Sequence, residues 1–495
     1  MFDNLKSRSL KGIFWATSES VGVAVISLAS FVVLARLLSP RDFGVVALAG
    51  VFVYFCNLLT AHSFTDALVQ RPAIERDHID TAFWSTLGIA LLLMAGCQAG
   101  AGVTARLLGE PALAEVLPWL SLILPLGALS SVQMSLLRRE MRFDAVARRM
   151  LFGRGLGAAM GIAAAVAGYG FWSLIVQQLV GQLAIAAAFA TTPWRPRFRF
   201  SRRRFREMWA FGAQVSATQV VSGAAEQALN LLVGTLLGAT ALGLFTIACR
   251  AVQIIGSLVS SAVYHVGLSA FSKLQQDRHL VADAFLKATR LSCLVGFPIA
   301  VGIMLVDRPL VLTAFGEKWQ AAIPLLGTLA LTLLPGFYGI FLSSLYRALD
   351  RAGWGLVTEL VYVVVGIGGA VIFAPFGLLA VVAFWVARSF VLMPMNVLLV
   401  RRLLAVPLAR LALPIGAPLA GSAAMAAGVS VLRLALPQDV APAVELAVLV
   451  PAGALIYGVA IRLVAPELFG LALRTAGLIA GRRKDVRDAE ELSVI

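Results

Sequence analysis

Few residues in this sequence could do chemistry, and most of those are arginines in apolar surroundings. Between Glu207 and Lys273 only Glu226 and Arg250 carry a fixed charge, and Arg250 sits in the run 246-TIACRAVQII-255. A guanidinium stays protonated, and its planar fork matches a carboxylate or a phosphate. Such a residue therefore calls for an anion, either a neighbouring acid or a bound ligand. From Arg250, polar residues recur at Thr246, Gln253, Ser257, Ser260 and Tyr264, spacings that follow one face of a helix. The preceding run has its own stripe, Gln214, Thr218, Ser222, Glu226 and Asn230, each four apart. Two adjacent polar stripes describe the wall of a hydrated cavity or a Glu226–Arg250 pair that joins two helices; both readings stay open. Arg388 lies mid-run within 377–400, with Asn396 further along the same run. Arg154 and Arg290 lie a turn inside the ends of their runs, where a long stem reaches the interface. Glu19 and Glu226 are the deep acids, candidates for a proton or cation site or for pairing with arginine. Glu359 lies near the end of its run.

Other chemistries find no residues. Cys56, Cys97, Cys249 and Cys293 all sit in apolar runs without a CxxC spacing, and read as packing residues. His62, His78, His265 and His279 are scattered, with no HExxH. Neither a metal nor a cofactor is expected. Gly153, Gly157 and Gly161 in 153-GRGLGAAMG-161 lack the preceding strand and the GK[ST] of a phosphate loop. They read as a small-residue stripe for helix packing. With no Walker motif, ATP is not expected to drive this chain directly. No nucleophile–base pair stands out, so no catalytic residue is assigned and no enzyme is expected.

The elements that must position these residues are membrane helices. The chain has 495 residues, 60% hydrophobic and 14% charged, with a mean hydropathy of +0.88. Soluble domains are about half apolar and about a quarter charged. Since about 20 apolar residues cross a bilayer once, the runs 12–35, 43–64, 81–104, 116–137, 150–168, 171–191, 209–236, 242–264, 286–306, 322–345, 354–374, 377–400, 411–432 and 444–461 give an expected count of fourteen spans. The first is too long for a signal peptide and lacks an A-x-A site after it. Of the 41 lysines and arginines, 31 fall in segments on the side of the N-terminus, 6 on the other, and Arg154, Arg250, Arg290 and Arg388 inside runs. The positive-inside rule then places both termini in the cytoplasm. It also accounts for 195-RPRFRFSRRRFR-206 as a cytoplasmic anchor beside anionic lipid, with no nucleic-acid partner expected.

A weak internal repeat lays 36-RLLSPRDFGVVALA-49 over 235-TLLGATALGLFTIA-248, matching Leu37, Leu38, Gly44 and Ala49 to Leu236, Leu237, Gly243 and Ala248. Six runs separate the copies, so both point the same way, which is the plan of a parallel-repeat transporter. The expected architecture is all-α: a six-helix bundle over 1–200, a second over 201–405, a central cavity, two additional membrane helices in 406–470, and a polar cytoplasmic tail at 471–495.

The stretch 34-LARLLSPRDFGVVALAGVF-52 resembles the opening of bacterial polysaccharide transport flippases, the Wzx-type branch of the multidrug/oligosaccharidyl-lipid/polysaccharide exporter superfamily. Further stretches agree in order: 64-FTDALVQR-71, 133-QMSLLRREMRFDAVA-147, 168-GYGFWSLIVQQL-179, 193-PWRPRF-198, 229-LNLLVGTLLGATALGLFTIACR-250, 270-AFSKLQQD-277 and 315-FGEKW-319. The resemblance covers about residues 10–350. It implies an inner-membrane flippase that moves an undecaprenyl-pyrophosphate-linked oligosaccharide from the cytoplasmic to the periplasmic leaflet for lipopolysaccharide or exopolysaccharide assembly. Where such proteins often carry an acid before an asparagine, this chain has Leu229 before Asn230, and Glu226 stands one turn earlier. Joined to the residue reading, the resemblance casts Arg250 and Arg388 as holders of the pyrophosphate. Arg154 and Arg290 stand nearby, and Gln253, Gln214 and Asn230 face the sugars. Lipid-linked oligosaccharide, membrane lipid, and a polymerase, co-polymerase and glycosyltransferases of the same pathway are the implied partners, with the protein acting as a monomer. A cation-coupled drug antiporter and a peptidoglycan-precursor flippase are the competing readings within the superfamily. A lipid-linked-sugar polymerase or ligase fits less well, because the longest outside loop, 307–321, is too short to carry a catalytic apparatus.

Overall fold

The structure is a computed structural model that describes residues 2–61, 64, 68, 74–273, 278–349, 351–437, 440–468 and 470; side chains are described for these except 2–11, 13, 61, 210–222, 224–226, 258–273, 278, 347 and 352. Among the described residues every regular element is a helix. In chain order they are α1 (Phe2–Leu37), α2 (Pro40–Ala61), α3 (Arg76–Leu107), α4 (Leu113–Ser121), α5 (Ile123–Arg139), α6 (Phe143–Val166), α7 (Trp172–Phe189), α8 (Arg202–Lys273), α9 (Arg278–Leu305), α10 (Asp307–Ala314), α11 (Ile323–Ala330), α12 (Leu333–Gly339), α13 (Leu342–Ala348), α14 (Ala352–Phe373), α15 (Leu378–Leu404), α16 (Leu408–Ala435) and α17 (Pro442–Val464).

Twelve helical stretches among the described residues are long and apolar enough to cross a membrane. The expected fourteen are not confirmed by this count, which is taken over the described residues. Run 150–168 becomes α6, where Arg149, Arg154 and the glycines at 153, 155, 157 and 161 hold the hydropathy down, and α6 is not one of the twelve. Runs 209–236 and 242–264 both lie on α8, which is broken at Gly238 (φ 87°). Among the described side chains they contribute the stretch Gln227–Ser257. The positive φ is one that glycine alone adopts readily, and Gly238 lies in the gap between the two expected runs.

The chain packs as two compact units, 1–246 and 247–495. In the first, the SPRD stretch is a helix start. Asp42 accepts from the Ser39 amide (2.9 Å) and the Ser39 hydroxyl (2.6 Å), while Ser39 Oγ accepts from the Asp42 amide (3.3 Å). Pro40 at the first helical position loses no bond there. The glycine stripe of α6 meets α7 as expected: a Cβ on Gly157 would lie 2.5 Å from the Gln177 carbonyl oxygen and 2.8 Å from Gly181 Cα. The repeat is also visible inside this unit. A side chain on Gly44 would overlap the Ala239 carbonyl, and one on Gly243 would overlap that of Pro40. Ala239 is the repeat partner of Pro40, so the contact is reciprocal.

The basic stretch before α8 is pinned to the start of α3. Trp84 Nε1 donates to the Arg197 carbonyl (2.7 Å), the Arg197 amide to Asp80 (3.3 Å), and Arg204 to Glu75 (2.6 Å). Phe198 stacks on Trp84 at 4.7 Å yet stays 92% exposed. In the second unit, α9, α13, α15 and α16 close around Phe285, Phe341, Leu345, Tyr346, Val400, Leu404 and Leu411. Apolar side chains such as Leu455 (71%) and Leu463 (78%) point outward from α17. A water-soluble surface would not carry such rows; they are surfaces for lipid.

Candidate functional site

Of the stripe around Arg250, the side chains of Thr246, Arg250, Gln253 and Ser257 are described; Thr246 is half-buried, its hydroxyl donating to the Leu242 carbonyl at 2.7 Å. Arg250, Gln253 and Ser257 are exposed, while Ala251, Val252 and Gly256 between them are buried. The helix therefore buries its small and apolar face and exposes the guanidinium and amide. In the preceding stripe, Asn230 is half-buried and donates to Gln227 Oε1 at 2.9 Å. Gln214, Thr218, Ser222 and Glu226, with Ser260 and Tyr264, lie outside the described side chains.

The remaining candidates lie apart from that stripe. Glu19 on α1 is half-buried, with Arg138 as its charged neighbour. Arg154 is exposed on α6. Arg290 on α9 is half-buried, and its Nε is sealed from solvent without a hydrogen-bond partner.

Arg388 has a different setting. It is 7% exposed, in the seam of α14 and α15. Its guanidinium carbon lies 3.7 Å from the centre of the Trp385 ring and 5.3 Å from that of Tyr362. One terminal nitrogen donates to the Tyr362 carbonyl, and Asn396 donates to the Tyr362 hydroxyl at 3.3 Å. Gly366 makes room: any side chain there would strike Arg388 Nη1 and Trp385. The sequence pattern gave no weight to Trp385, one turn before Arg388 on the same face, or to Gly366. Both are visible once a cation is expected to seek an aromatic face.

A second feature was not read from the sequence. In the second unit α9, α16 and α17, with Ile255 of α8 and Leu310 of α10, enclose a cavity of about 580 Å³. Its walls are apolar except for Tyr457, whose hydroxyl donates to the Leu294 carbonyl at 2.6 Å. Gly302, Gly453 and Gly458 on its walls are the available signal, since small residues on facing helices leave space between them. In the first unit the Cys56 and Cys97 sulfurs lie 3.7 Å apart, as free thiols.

These features define a class: a multi-pass, all-helical membrane protein with the fold of an exporter. Its structure superposes on "Lipid II flippase MurJ, inward closed conformation" with a TM-score of 0.75 at 15% identity, covering 92% of this chain and 99% of that one. It also superposes on an inward-facing multidrug resistance MATE transporter with a TM-score of 0.58 at 19% identity, covering 77% and 94%. Residues 33–324 match the family described as "Polysaccharide biosynthesis protein", and the chain belongs to it. Among its relatives are the succinoglycan biosynthesis transport protein ExoT of Rhizobium meliloti (30% identical over 65% of this chain and 65% of that one) and the teichuronic acid biosynthesis protein TuaB of Bacillus subtilis (24%, covering 66% and 68%). The lipopolysaccharide biosynthesis protein WzxC of Escherichia coli is similar at 23% identity, covering 70% and 71%. The match thus spans about two thirds of the length of these curated relatives.

Proposed function

We propose that this protein is a flippase of the bacterial inner membrane that carries an undecaprenyl-pyrophosphate-linked oligosaccharide from the cytoplasmic to the periplasmic leaflet, for lipopolysaccharide or exopolysaccharide assembly. The observation that carries the reading is the apolar cavity walled by α9, α16 and α17. Its apolar walls suit a polyprenyl tail. Relatives named for succinoglycan, teichuronic acid and lipopolysaccharide biosynthesis support the substrate class.

The barrier to flipping is the diphosphate. Its charges reject hydrocarbon unless fixed cations replace their water. Arg250 is the residue we assign first to that role, because it is exposed on the same helix face as Gln253. Asn230 and Gln214 would face the sugars. Arg388 enters the proposal too, and reaches a phosphate only when Trp385 swings off its guanidinium. Arg154 and Arg290 are assigned to the entry and exit of the head group, and Glu19 and Glu226 to any coupling ion. Motion of the bundles 1–200 and 201–405 against one another would expose the site to each leaflet in turn, with 406–470 holding the tail. The protein performs no bond chemistry, keeps both termini in the cytoplasm, acts as a monomer, and hands its product to the pathway's polymerase and co-polymerase after glycosyltransferases have built the substrate.

The test is transport of a fluorescently labelled lipid-linked oligosaccharide in proteoliposomes. Arg250→Gln should lower the rate about tenfold or more, the loss of about 1.4 kcal/mol or more of ligand stabilisation. Arg250→Lys should recover part of it, since charge survives but the bidentate fork does not. A normal rate in both variants would discredit the assignment.

A further inference from the structure

Cys56 on α2 and Cys97 on α3 stand 41 positions apart in the chain, yet their sulfurs meet at 3.7 Å. Both are free thiols and half-buried. Neither has a role in the transport proposed above. Cys293 makes the contrast. It is 0% exposed and packed with Phe297 and Tyr338, the sealed apolar setting in which a thiol is inert.

An S–S bond is about 2.05 Å long, so closing this contact takes about 1.7 Å of approach, shared between two side chains. The surroundings leave room for it. Gly100 lies one turn beyond Cys97, and a Cβ there, or on the adjacent Gly96, would meet no atom within 4 Å. On α2, Asn57 follows Cys56 and lines a cavity together with Thr86 of α3. The seam is therefore loosely filled around the sulfurs, with slack for them to turn and for a small reagent to enter.

Both helices are candidate membrane spans, so the reagent must dissolve in hydrocarbon, as an organic hydroperoxide does. One thiol, as its thiolate, attacks the outer peroxide oxygen. The O–O bond breaks, the sulfur becomes a sulfenic acid, and an alcohol leaves with the thiol's proton. The second thiol attacks that sulfur. The S–S bond forms, the S–O bond breaks, and the hydroxyl departs with the second proton as water. The two sulfurs together lose two electrons, and the peroxide ends as one alcohol and one water. A partner already in contact makes the second step unimolecular, so it runs ahead of irreversible oxidation. We propose that Cys56 and Cys97 form a reversible redox modification site, oxidised by a lipid-soluble hydroperoxide to a disulfide that ties α2 to α3 and released by a dithiol reductant. The inference does not depend on the flippase reading, because the bond is measured without a lipid substrate.

The full chain in lipid nanodiscs is treated with tert-butyl hydroperoxide, then denatured, and its remaining thiols are counted by maleimide labelling and intact mass. The chain has four cysteines, so four labels are expected before treatment and two after it, with peptide mapping showing a link between 56 and 97. Oxidation should raise Tm, since a cross-link restricts the unfolded chain, and dithiothreitol should reverse the rise. In Cys56→Ala and Cys97→Ala the rise should disappear, and dimedone should trap a sulfenic acid on the thiol that remains. If the alanine variants fail to fold, the label count and the mapped link in the wild type carry the test. Four labels after treatment, a link to Cys249 or between two chains in place of the one between 56 and 97, or an equal rise in Cys97→Ala would overturn the proposal and leave two packing residues that happen to touch.

Discussion

Arg388 shows how a single cation is held at bilayer depth by a backbone carbonyl and an aromatic face, with Glu359 as its charged neighbour. A central arginine costs about 2.5–3.5 kcal/mol on insertion scales. Here one nitrogen reaches the Tyr362 carbonyl, and the flat face is covered by Trp385 at 3.7 Å. A desolvated cation–π pair contributes about 2 kcal/mol. Replacing Trp385 with Leu should therefore lower the stability of the protein in nanodiscs by about 1–2 kcal/mol, and Trp385→Phe should recover part, as read from thermal unfolding. Arg388→Lys should not substitute, since an ammonium on a flexible stem cannot both lie flat on the indole and fork to the carbonyl. The sequence located this arginine as an isolated charge but not its partners. A search for polar periodicity cannot see an aromatic ring or a backbone carbonyl as a counterpart. Arg250 was more legible, because Gln253 and Ser257 share its face and a helix repeats that face every turn.

Among the elements, α6 and α7 were the most readable. Glycines every four residues permit backbones to approach, and inside a membrane close packing replaces the hydrophobic drive that water supplies elsewhere. Gly157 meets Gln177 and Gly181 along that seam. Gly157→Leu pushes a branched side chain into main-chain atoms that cannot rotate away. Overpacking of this kind costs about 1–3 kcal/mol, so the variant should melt earlier and be cut faster by protease within 143–189, whereas Gly155→Leu, whose Cβ meets nothing within 4 Å, should behave as the wild type. The break in α8 falls in the gap between the expected runs 209–236 and 242–264, where the positive φ of Gly238 divides the helix. The reciprocal approach of Gly44 and Gly243 does give the faint repeat a physical basis. Two equivalent helix starts that touch at equivalent residues both need glycine there, so those matches survive where others have drifted.

For the molecule as a whole, composition alone was sufficient to announce a helical membrane protein, and charge placement gave an expected orientation. The role of the last two helices was hidden, because hydropathy reports how apolar a helix is and not whether it closes against its neighbours. Helices α16 and α17 leave a cavity with α9, and glycines make that possible. Gly302 and Gly458 line it, and a Cβ on either would meet no atom within 4 Å. A phenylalanine at either position would grow into empty space. It would also remove a helical glycine, whose cost relative to other residues is about 0.5–1 kcal/mol. Gly302→Phe and Gly458→Phe should thus fold with unchanged or higher melting temperatures. If the polyprenyl tail occupies this slot, both should slow flipping in proteoliposomes about tenfold, a loss of about 1.4 kcal/mol, and Gly458→Ala should slow it little. Gly416→Phe on α16, another glycine with open space around its Cβ that does not line the cavity, should leave the rate unchanged and so separates a filled slot from a stiffened helix. Stable cavity-filled variants that flip at the normal rate would remove the slot from the transport path and return the choice of substrate to the polar stripe at Arg250.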